Sequence, residues 1–226
     1  MKLFYVFCFC FSFYVLKAQP SATTDVTKNG NKSFEGVVFF SMEMLSDTMY
    51  YTYSIKDRNV RLDEYNRCKS CKFPDNYMLF DLDNKKITAL NPQRKMYLHL
   101  TVNEFKEYNN NDDFIILKTN NSKKILGYKC YQWRVRNKKQ NTEISYWVAN
   151  DHFNFFIDYL KLWNRSERHA TYFLRIPETQ GFFPMLSEER TTLREQKMTL
   201  RVLSIQKKAL DPSLFQIPKD YKSYEE

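Results

Sequence analysis

A period of two in the apolar residues is the feature that most constrains the fold of this chain. The first such run has apolar side chains at Phe34, Val38, Phe40, Met42 and Met44. The second has them at Met49, Tyr51, Tyr53 and Ile55. Since successive side chains of a β-strand point to opposite faces, each run predicts a strand with one buried face. The short turn between the two runs predicts an antiparallel hairpin.

Further runs predict that this hairpin continues into a meander of antiparallel strands. They cover residues 60–64, 77–82, 86–90, 95–101, 128–136, 143–149 and 197–207. Connections such as Asp83-Asn84 carry the residues expected of turns. Gly36 falls on the apolar face of the first strand, where a glycine indicates a bulge or a close approach of backbone. A mainly β fold follows.

One segment has a helical pattern instead. Residues 155–163 are apolar nearly all round, which is typical of a helix packed against a sheet. Residues 103–113, rich in Asn, Asp and Glu, predict a surface loop or a short helix, and the surroundings of Gly181 to Pro184 predict a loop.

The N-terminus has the outline of a secretory signal peptide. A lysine at position 2 precedes an apolar stretch from Leu3 to Leu16, and Ala18 supplies a small residue for cleavage. The stretch is shorter than the roughly 20 residues of a membrane-spanning helix, although an uncleaved anchor remains the alternative. We expect a signal peptide at residues 1–18, a flexible lead-in at 19–33, and a single domain at 34–222.

The charge of the chain bears on its partners. The formal net charge of +9 falls to +7 once Lys2 and Lys17 are removed with the signal peptide, and it is dispersed along the sequence. Such a surface also favours an anionic membrane, which attracts basic segments. We expect no nucleic-acid partner, because export separates the protein from most nucleic acid and no binding motif is present. The expected location is the periplasm or the cell envelope.

Three cysteines remain after cleavage, in a compartment where disulfides persist. A bridge within the pair Cys68 and Cys71, or from one of them to Cys130, is favoured over redox or metal chemistry, because no second ligand pair lies at a zinc spacing. Glycine loops that cradle phosphate, nucleophile elbows and paired metal-binding histidines are also missing from the sequence. We therefore expect no enzyme, no cofactor and no metal.

Several landmarks resemble a family of uncharacterised bacterial envelope proteins with a fold similar to that of the lipoprotein carriers LolA and LolB. They are Gly36-Val37-Val38, the run from Lys124 to Tyr131, Trp147-Val148-Ala149, and the closing run from Ser204 through Phe215-Gln216-Ile217-Pro218 to Tyr221. The resemblance implies a curved antiparallel half-barrel sheet with one or a few helices packed on its concave face. It also implies an apolar cavity that takes acyl chains.

Two functions from different classes fit these observations. In the first, the protein binds a lipid, an acyl chain or another apolar ligand in the concave face. The residues expected to line that cavity are Phe34, Val38, Phe40, Met42, Met49, Tyr51, Tyr53, Trp133 and Trp147. In the second, the same face is a filled core, and the chain is a structural or interaction protein of the envelope that binds a protein through a surface patch or a sheet edge.

Overall fold

The computed structural model describes residues 33–108 and 113–224 of the chain. The expected signal peptide at residues 1–18 lies outside the described residues, as does the expected lead-in at 19–33 apart from Ser33. These assignments, and the boundaries of the expected domain at 34–222, remain predictions.

The described residues form one sheet of twelve strands and two helices. The strands are β1 (Gly36–Met44), β2 (Thr48–Lys56), β3 (Asn59–Tyr65), β4 (Asn76–Asp81), β5 (Lys86–Asn91), β6 (Met96–Leu100), β7 (Phe114–Ile125), β8 (Tyr128–Asn137), β9 (Thr142–Asn150), β10 (Phe182–Thr191), β11 (Gln196–Lys207) and β12 (Lys222–Ser223). The helices are α1 (Phe155–Trp163) and α2 (Arg168–Phe173), both between β9 and β10.

The sheet is open and curved, with the strand order β12-β6-β5-β4-β3-β2-β1-β11-β10-β9-β8-β7. Neighbouring strands are antiparallel except β12, which pairs parallel to β6. Both helices pack on the concave face, where their buried aromatic residues join the main core. The predicted fold class, a mainly β protein built on a curved antiparallel sheet with helices on one face, is confirmed. Within the described residues, no helix has the length and apolar character needed to cross a membrane.

The predicted helix has the bounds that its sequence pattern indicated. Helix α1 ends where Asn164 adopts a left-handed conformation, with φ 44°, and its backbone N–H donates to the Leu160 carbonyl at 2.9 Å. Asparagine tolerates this conformation better than most residues, which makes it a suitable end for a helix. Its side chain also donates to the Asn103 carbonyl at 3.3 Å, so the segment after β6 is tied to the helix end.

Three elements were missed or misassigned by the sequence pattern, each for a physical reason. Strand β10 begins in the segment predicted as a loop. The segment did not resemble a strand because Pro184 lacks the N–H that a central strand needs. The pairing of β10 with β9 shifts register between Pro184 and Leu186, which accommodates the proline. Strand β7 has four apolar residues in succession and then a polar run, so it shows no period of two. Helix α2 has only six residues, too few for a periodic signal.

The C-terminal segment covers part of the convex face. A 3₁₀ turn at Pro212–Phe215 follows β11, and the chain then runs beside β4 to β6. Ile217 and Tyr221 pack against a small apolar cluster formed by Tyr77, Leu79 and Leu90. This contact explains why the closing run of the sequence carries large apolar residues outside any long strand.

Gly36 makes the close backbone approach that the sequence indicated. It pairs with Lys207 of β11 at φ 150°, and a Cβ at this position would lie 2.2 Å from the Gln206 carbonyl oxygen. No side chain fits at that distance without moving the backbone. Gly127, in the turn between β7 and β8, also has a positive φ of 84° but has no atom within 4 Å of a built Cβ.

These two glycines make a matched pair for a stability test. We expect Gly36→Ala to lower the free energy of unfolding by at least about 2 kcal/mol, because strain at a positive φ is combined with a backbone clash. Gly127→Ala should cost only about 1 kcal/mol, since it carries the strain alone. Urea unfolding followed by tryptophan fluorescence measures both values, and equal costs would contradict the close approach.

Candidate apolar binding site

A cavity of about 270 Å³ lies between the concave face of the sheet and the two helices. Its apolar wall is contributed by Phe40, Met42, Tyr51, Tyr53, Leu62, Met78, Leu200 and Val202 from the strands, by Phe156, Tyr159, Leu160, Trp163 and Ala170 from the helices, and by Phe183 and Pro184 of β10. The volume is close to the lower end of the range of about 300–1,000 Å³ that is usual for ligand pockets. It suits one slender apolar group.

Packed aromatic rings form the floor of the cavity. Tyr53 of β2 meets Tyr159 of α1 edge-on, with ring centroids 5.2 Å apart, and the Tyr53 hydroxyl donates to the Tyr159 hydroxyl at 3.3 Å. Phe156 of α1 contacts Phe183 of β10 with centroids 4.7 Å apart. Burial raises the pKa of both tyrosines well above the usual value, so the floor is uncharged.

The end of α1 provides one side of the cavity. Trp163 is the last residue of the helix and packs edge-on against Phe80 of β4, with centroids 5.3 Å apart. It is only partly buried, and Met78 of the same strand lies beside it in the cavity wall. The left-handed Asn164 ends the helix directly after Trp163, so this indole is the last helical side chain at this side of the cavity.

Five polar residues also line the cavity: Glu64, Glu167, His169, Ser187 and Arg201. Ser187 is buried, whereas the carboxylates of Glu64 and Glu167, called the rim below, keep contact with solvent. Glu167 is exposed, Glu64 is half-buried, and Arg201 pairs with Glu43 at 3.3 Å. Burial, with repulsion from Asp75, raises the pKa of Glu64. Burial, together with the negative charges of Glu64 and Glu167, raises the pKa of Tyr51 to about 12. The rim therefore carries negative charge, whereas the wall carries none.

His169 of α2 is the titratable group with the largest consequence for this site. Burial disfavours its charged form and lowers its pKa to about 4, so the ring is neutral at physiological pH. A neutral imidazole keeps the helix side of the cavity uncharged. Its own backbone carbonyl accepts a hydrogen bond from the Tyr146 hydroxyl at 2.8 Å, which fixes α2 to the sheet.

The lowered pKa of His169 has a measurable effect on stability. Below pH 6.5, the usual histidine pKa, the His169 ring is protonated in the unfolded chain but stays neutral in the folded one. The free energy of unfolding therefore falls as pH falls toward about 4. Between about pH 6.5 and about pH 5 we expect a loss of about 1.5 kcal/mol. Urea unfolding at both pH values measures it. In His169→Gln this part of the pH dependence should vanish, and an unchanged slope would contradict a neutral imidazole in the folded protein.

The residues predicted to line a cavity divide into those that do and those that do not. Phe40, Met42, Tyr51 and Tyr53 lie in the cavity wall. Phe34 and Val38 are fully packed in the core, where Phe34 contacts Phe153 with ring centroids 4.7 Å apart. Met49 lies next to Met42 on the neighbouring strand but outside the wall itself.

The two predicted tryptophans lie away from this cavity. Trp133 packs on Phe182 with centroids 4.7 Å apart, and the Lys118 ammonium lies 4.7 Å from its ring. Trp147 follows the buried Tyr146, so it points to the convex face, where the Lys123 ammonium lies 4.0 Å from its ring. The two tryptophans point to opposite faces of the sheet, because Trp133 pairs with Tyr146 and Trp147 is the next residue on β9. The sequence alone does not give this pairing register.

The cysteines take one of the alternatives that the sequence left open. Cys68 and Cys71 form a disulfide in the segment between β3 and β4, with Cα atoms 5.5 Å apart. Cys130 is a buried free thiol, and burial raises its pKa. Across residues 33–108 and 113–224, no group of three His, Cys, Asp or Glu side chains is arranged to hold a metal ion.

Sequence reasoning missed several residues of the site. Leu62, Met78 and Leu200 lie on strands whose alternation was recognised, but their distance from β1 and β2 in sequence hid their common location. Trp163 belongs to the predicted helix. His169 had no sequence signal, because α2 is too short to show a periodic pattern.

A family model confirms the relationship that the landmarks indicated. The model named "Domain of unknown function (DUF4412)" matches residues 34–221. The chain belongs to the DUF4412 family. The expectation of an uncharacterised family is therefore confirmed. No curated protein matches the sequence of this DUF4412 protein.

Solved structures with a related fold share little sequence with the DUF4412 chain. An uncharacterised conserved protein from Thermus thermophilus has 8% identity and a TM-score of 0.47, with 84% of this chain and 90% of that one covered. The Pseudomonas aeruginosa MucA/MucB complex gives 8% and 0.48, with 82% of this chain and 56% of that one covered. A putative outer membrane lipoprotein-sorting protein domain from Vibrio parahaemolyticus gives 9% and 0.31, with 80% and 87% covered. At these identities and TM-scores, none of the three bears on what this chain does.

Proposed function

We propose that this protein is exported to the cell envelope and binds an acyl chain or a similar apolar ligand in the cavity beneath α1. The observation that carries the proposal is the cavity itself. Most of its wall is aromatic or aliphatic, and its two carboxylates, Glu64 and Glu167, keep contact with solvent. This is the arrangement expected of a site that takes up an apolar chain and leaves a polar head in water.

The size of the cavity indicates a range of affinity. Burying a methylene gains about 0.8 kcal/mol, so about ten methylenes supply about 8 kcal/mol before ordering costs. That gain corresponds to micromolar binding. A single chain of this length fits the proposal better than a lipid with several chains, which would need a larger cavity.

Export is supported by the pattern of residues 1–18 and by the cysteines. The Cys68–Cys71 disulfide forms in the structure, and disulfides persist mainly in oxidising compartments. The dispersed positive charge of the sequence suits an anionic membrane surface, and association with such a surface is part of this proposal.

A charge placed in the cavity wall tests the proposal. Leu200 is a partly buried wall residue, and Leu200→Glu should weaken binding of a neutral fluorescent apolar probe by at least about tenfold, since burying a carboxylate against an acyl chain is costly. Leu193→Glu is the matched control, because Leu193 is 92% exposed in the turn between β10 and β11. Fluorescence titration of the mature protein measures both affinities, with circular dichroism to confirm that each variant is folded.

The outcomes separate the two classes of function. Binding that is lost in Leu200→Glu and kept in Leu193→Glu supports the cavity. The proposal would be contradicted if the wild-type protein did not bind the probe, or if both variants bound it equally well.

The charge of the rim predicts a preference among ligands. Because Glu64 and Glu167 repel an anionic head, we expect the wild-type protein to bind a neutral probe better than a fatty acid of the same length. Glu64→Gln should raise affinity for the fatty acid by about three- to fivefold and leave the neutral probe unchanged, since an interaction across the rim is worth about 1 kcal/mol. Equal changes for both probes would contradict an electrostatic rim.

A second candidate function is binding of an envelope protein along strand β7. This strand has twelve residues and lies at one edge of the sheet, where its outer backbone groups have no neighbouring strand among the described residues. Edge strands can accept a strand from another protein, although lysines such as Lys118, Lys123 and Lys124 are a usual device against such pairing. Native mass spectrometry of detergent-free protein that shows a bare chain, even after incubation with envelope lipids, would favour this candidate.

A further inference from the structure

Four methionines meet at one end of the concave face. Met42 and Met44 alternate along β1 and therefore point to the same side. Met42 pairs across the strands with Met49 of β2, and Met44 pairs with Met198 of β11. Side chains of directly paired residues have Cβ atoms about 5 Å apart. These four residues, the methionine quartet, therefore form one compact patch across three adjacent strands.

The face and exposure of the quartet are fixed by its contacts. Met42 lies in the cavity wall, and the Tyr51 hydroxyl donates to the Met49 sulfur at 3.5 Å, so both side chains are on the concave side. Met198 is 8% exposed and Met44 is 43% exposed. The patch therefore reaches from the packed sheet to solvent, and a small ion can enter it without opening the core.

The composition of the patch points to a soft cation. The whole chain has eight methionines, and half of them are in the quartet. Thioethers are soft, neutral ligands that select Cu(I) over Zn²⁺, Mg²⁺ or Ca²⁺. They need no deprotonation, in contrast to thiols, imidazoles and carboxylates. Flexible methionine side chains with three rotatable bonds can bring three or four sulfur atoms onto one ion.

We propose that Met42, Met44, Met49 and Met198 form a thioether site for a soft monovalent cation, Cu(I), for which Ag(I) is a redox-inert analogue. The setting favours thioethers over thiols for this role. Cys68 and Cys71 are joined in a disulfide, and Cys130 is buried, so the cysteines of the described residues offer no accessible thiolate. The proposal does not require that the cavity holds a ligand.

Nuclear magnetic resonance of protein labelled with ¹³C at the methionine methyl groups tests the site directly. On titration with Ag(I), the four methyl signals of the quartet should shift together and saturate at one ion per chain. The signals of Met78, Met96 and Met185 should stay in place, because those residues lie on other strands or deeper in the core. Shifts of all methyl signals alike, or of none, would overturn the proposal.

A pair of conservative variants gives the affinity. Met42→Leu combined with Met44→Leu keeps the apolar volume but removes two sulfur atoms. We expect its affinity for Cu(I), measured anaerobically against a chromogenic Cu(I) chelator, to fall by at least about tenfold. Met96→Leu on β6 is the matched control and should bind as the wild type does.

Two further measurements keep the assignment falsifiable. Cys130→Ala should retain Cu(I) binding, and loss of binding in that variant would assign the ion to the thiol instead. Binding of the neutral apolar probe should survive in the single variant Met44→Leu, because Met44 lies outside the cavity wall. Unchanged Cu(I) affinity in Met42→Leu/Met44→Leu would overturn the thioether site while leaving the proposed function untouched.

Discussion

The packing of α1 on the concave face determines which part of the sheet is a filled core and which part is a cavity. A helix of nine residues is about 13 Å long, and neighbouring strands lie about 4.8 Å apart, so α1 can cover only about three strands. Tyr159 meets Tyr53 and Phe80 with ring centroids 5.2 and 4.8 Å apart, which anchors the helix over β2 to β4. The remainder of the concave face needs other cover. Helix α2 supplies some of it, and the cavity remains between the sheet and the two helices.

The distribution of polar groups follows from this incomplete cover. Tyr53 of the sheet and Tyr159 of α1 satisfy their hydroxyls with each other where the helix meets the sheet, because water cannot reach them. Residues at the open side keep contact with water, and there the sequence places Glu64 and Glu167. His169 also lines the cavity and is neutral at physiological pH. An apolar chain inserted under α1 would therefore contact an uncharged surface along its length and meet charge only at the opening.

The sequence predicted the elements in which periodicity reflects burial, and it missed those in which another constraint dominates. Strands β1 and β2 show a period of two because one of their faces is solvated. Helix α1 was found with its bounds because apolar residues fill seven of its nine positions between Asn154 and Asn164. Strand β10 was not recognised because it contains Pro184. The sheet accommodates the missing N–H of this proline by a register shift, which cannot be predicted from the local sequence. Trp147 shows the same limit for the site. An indole suits a cavity wall, but Trp147 lies between the buried Tyr146 and Val148 on β9 and therefore points to the convex face.

The cavity was only partly predictable for a related reason. Phe40, Met42, Tyr51 and Tyr53 could be named because they lie on adjacent strands of one hairpin. Leu200 enters the site from a strand far along the chain, since β11 pairs with β1 in the sheet. Strand pairing of that range is decided by the whole fold, so neither its partner nor its register could be read from the segment alone.

The methionine quartet and the cavity share Met42, and this contact links their energetics. Tyr51 pairs across the strands with Glu64, and its hydroxyl contacts the Met49 sulfur, so the quartet lies one strand away from a carboxylate of the rim. A monovalent cation held there would offset part of the negative charge that disfavours anionic heads. Linkage is reciprocal, so an anionic ligand in the cavity would strengthen cation binding by the same factor.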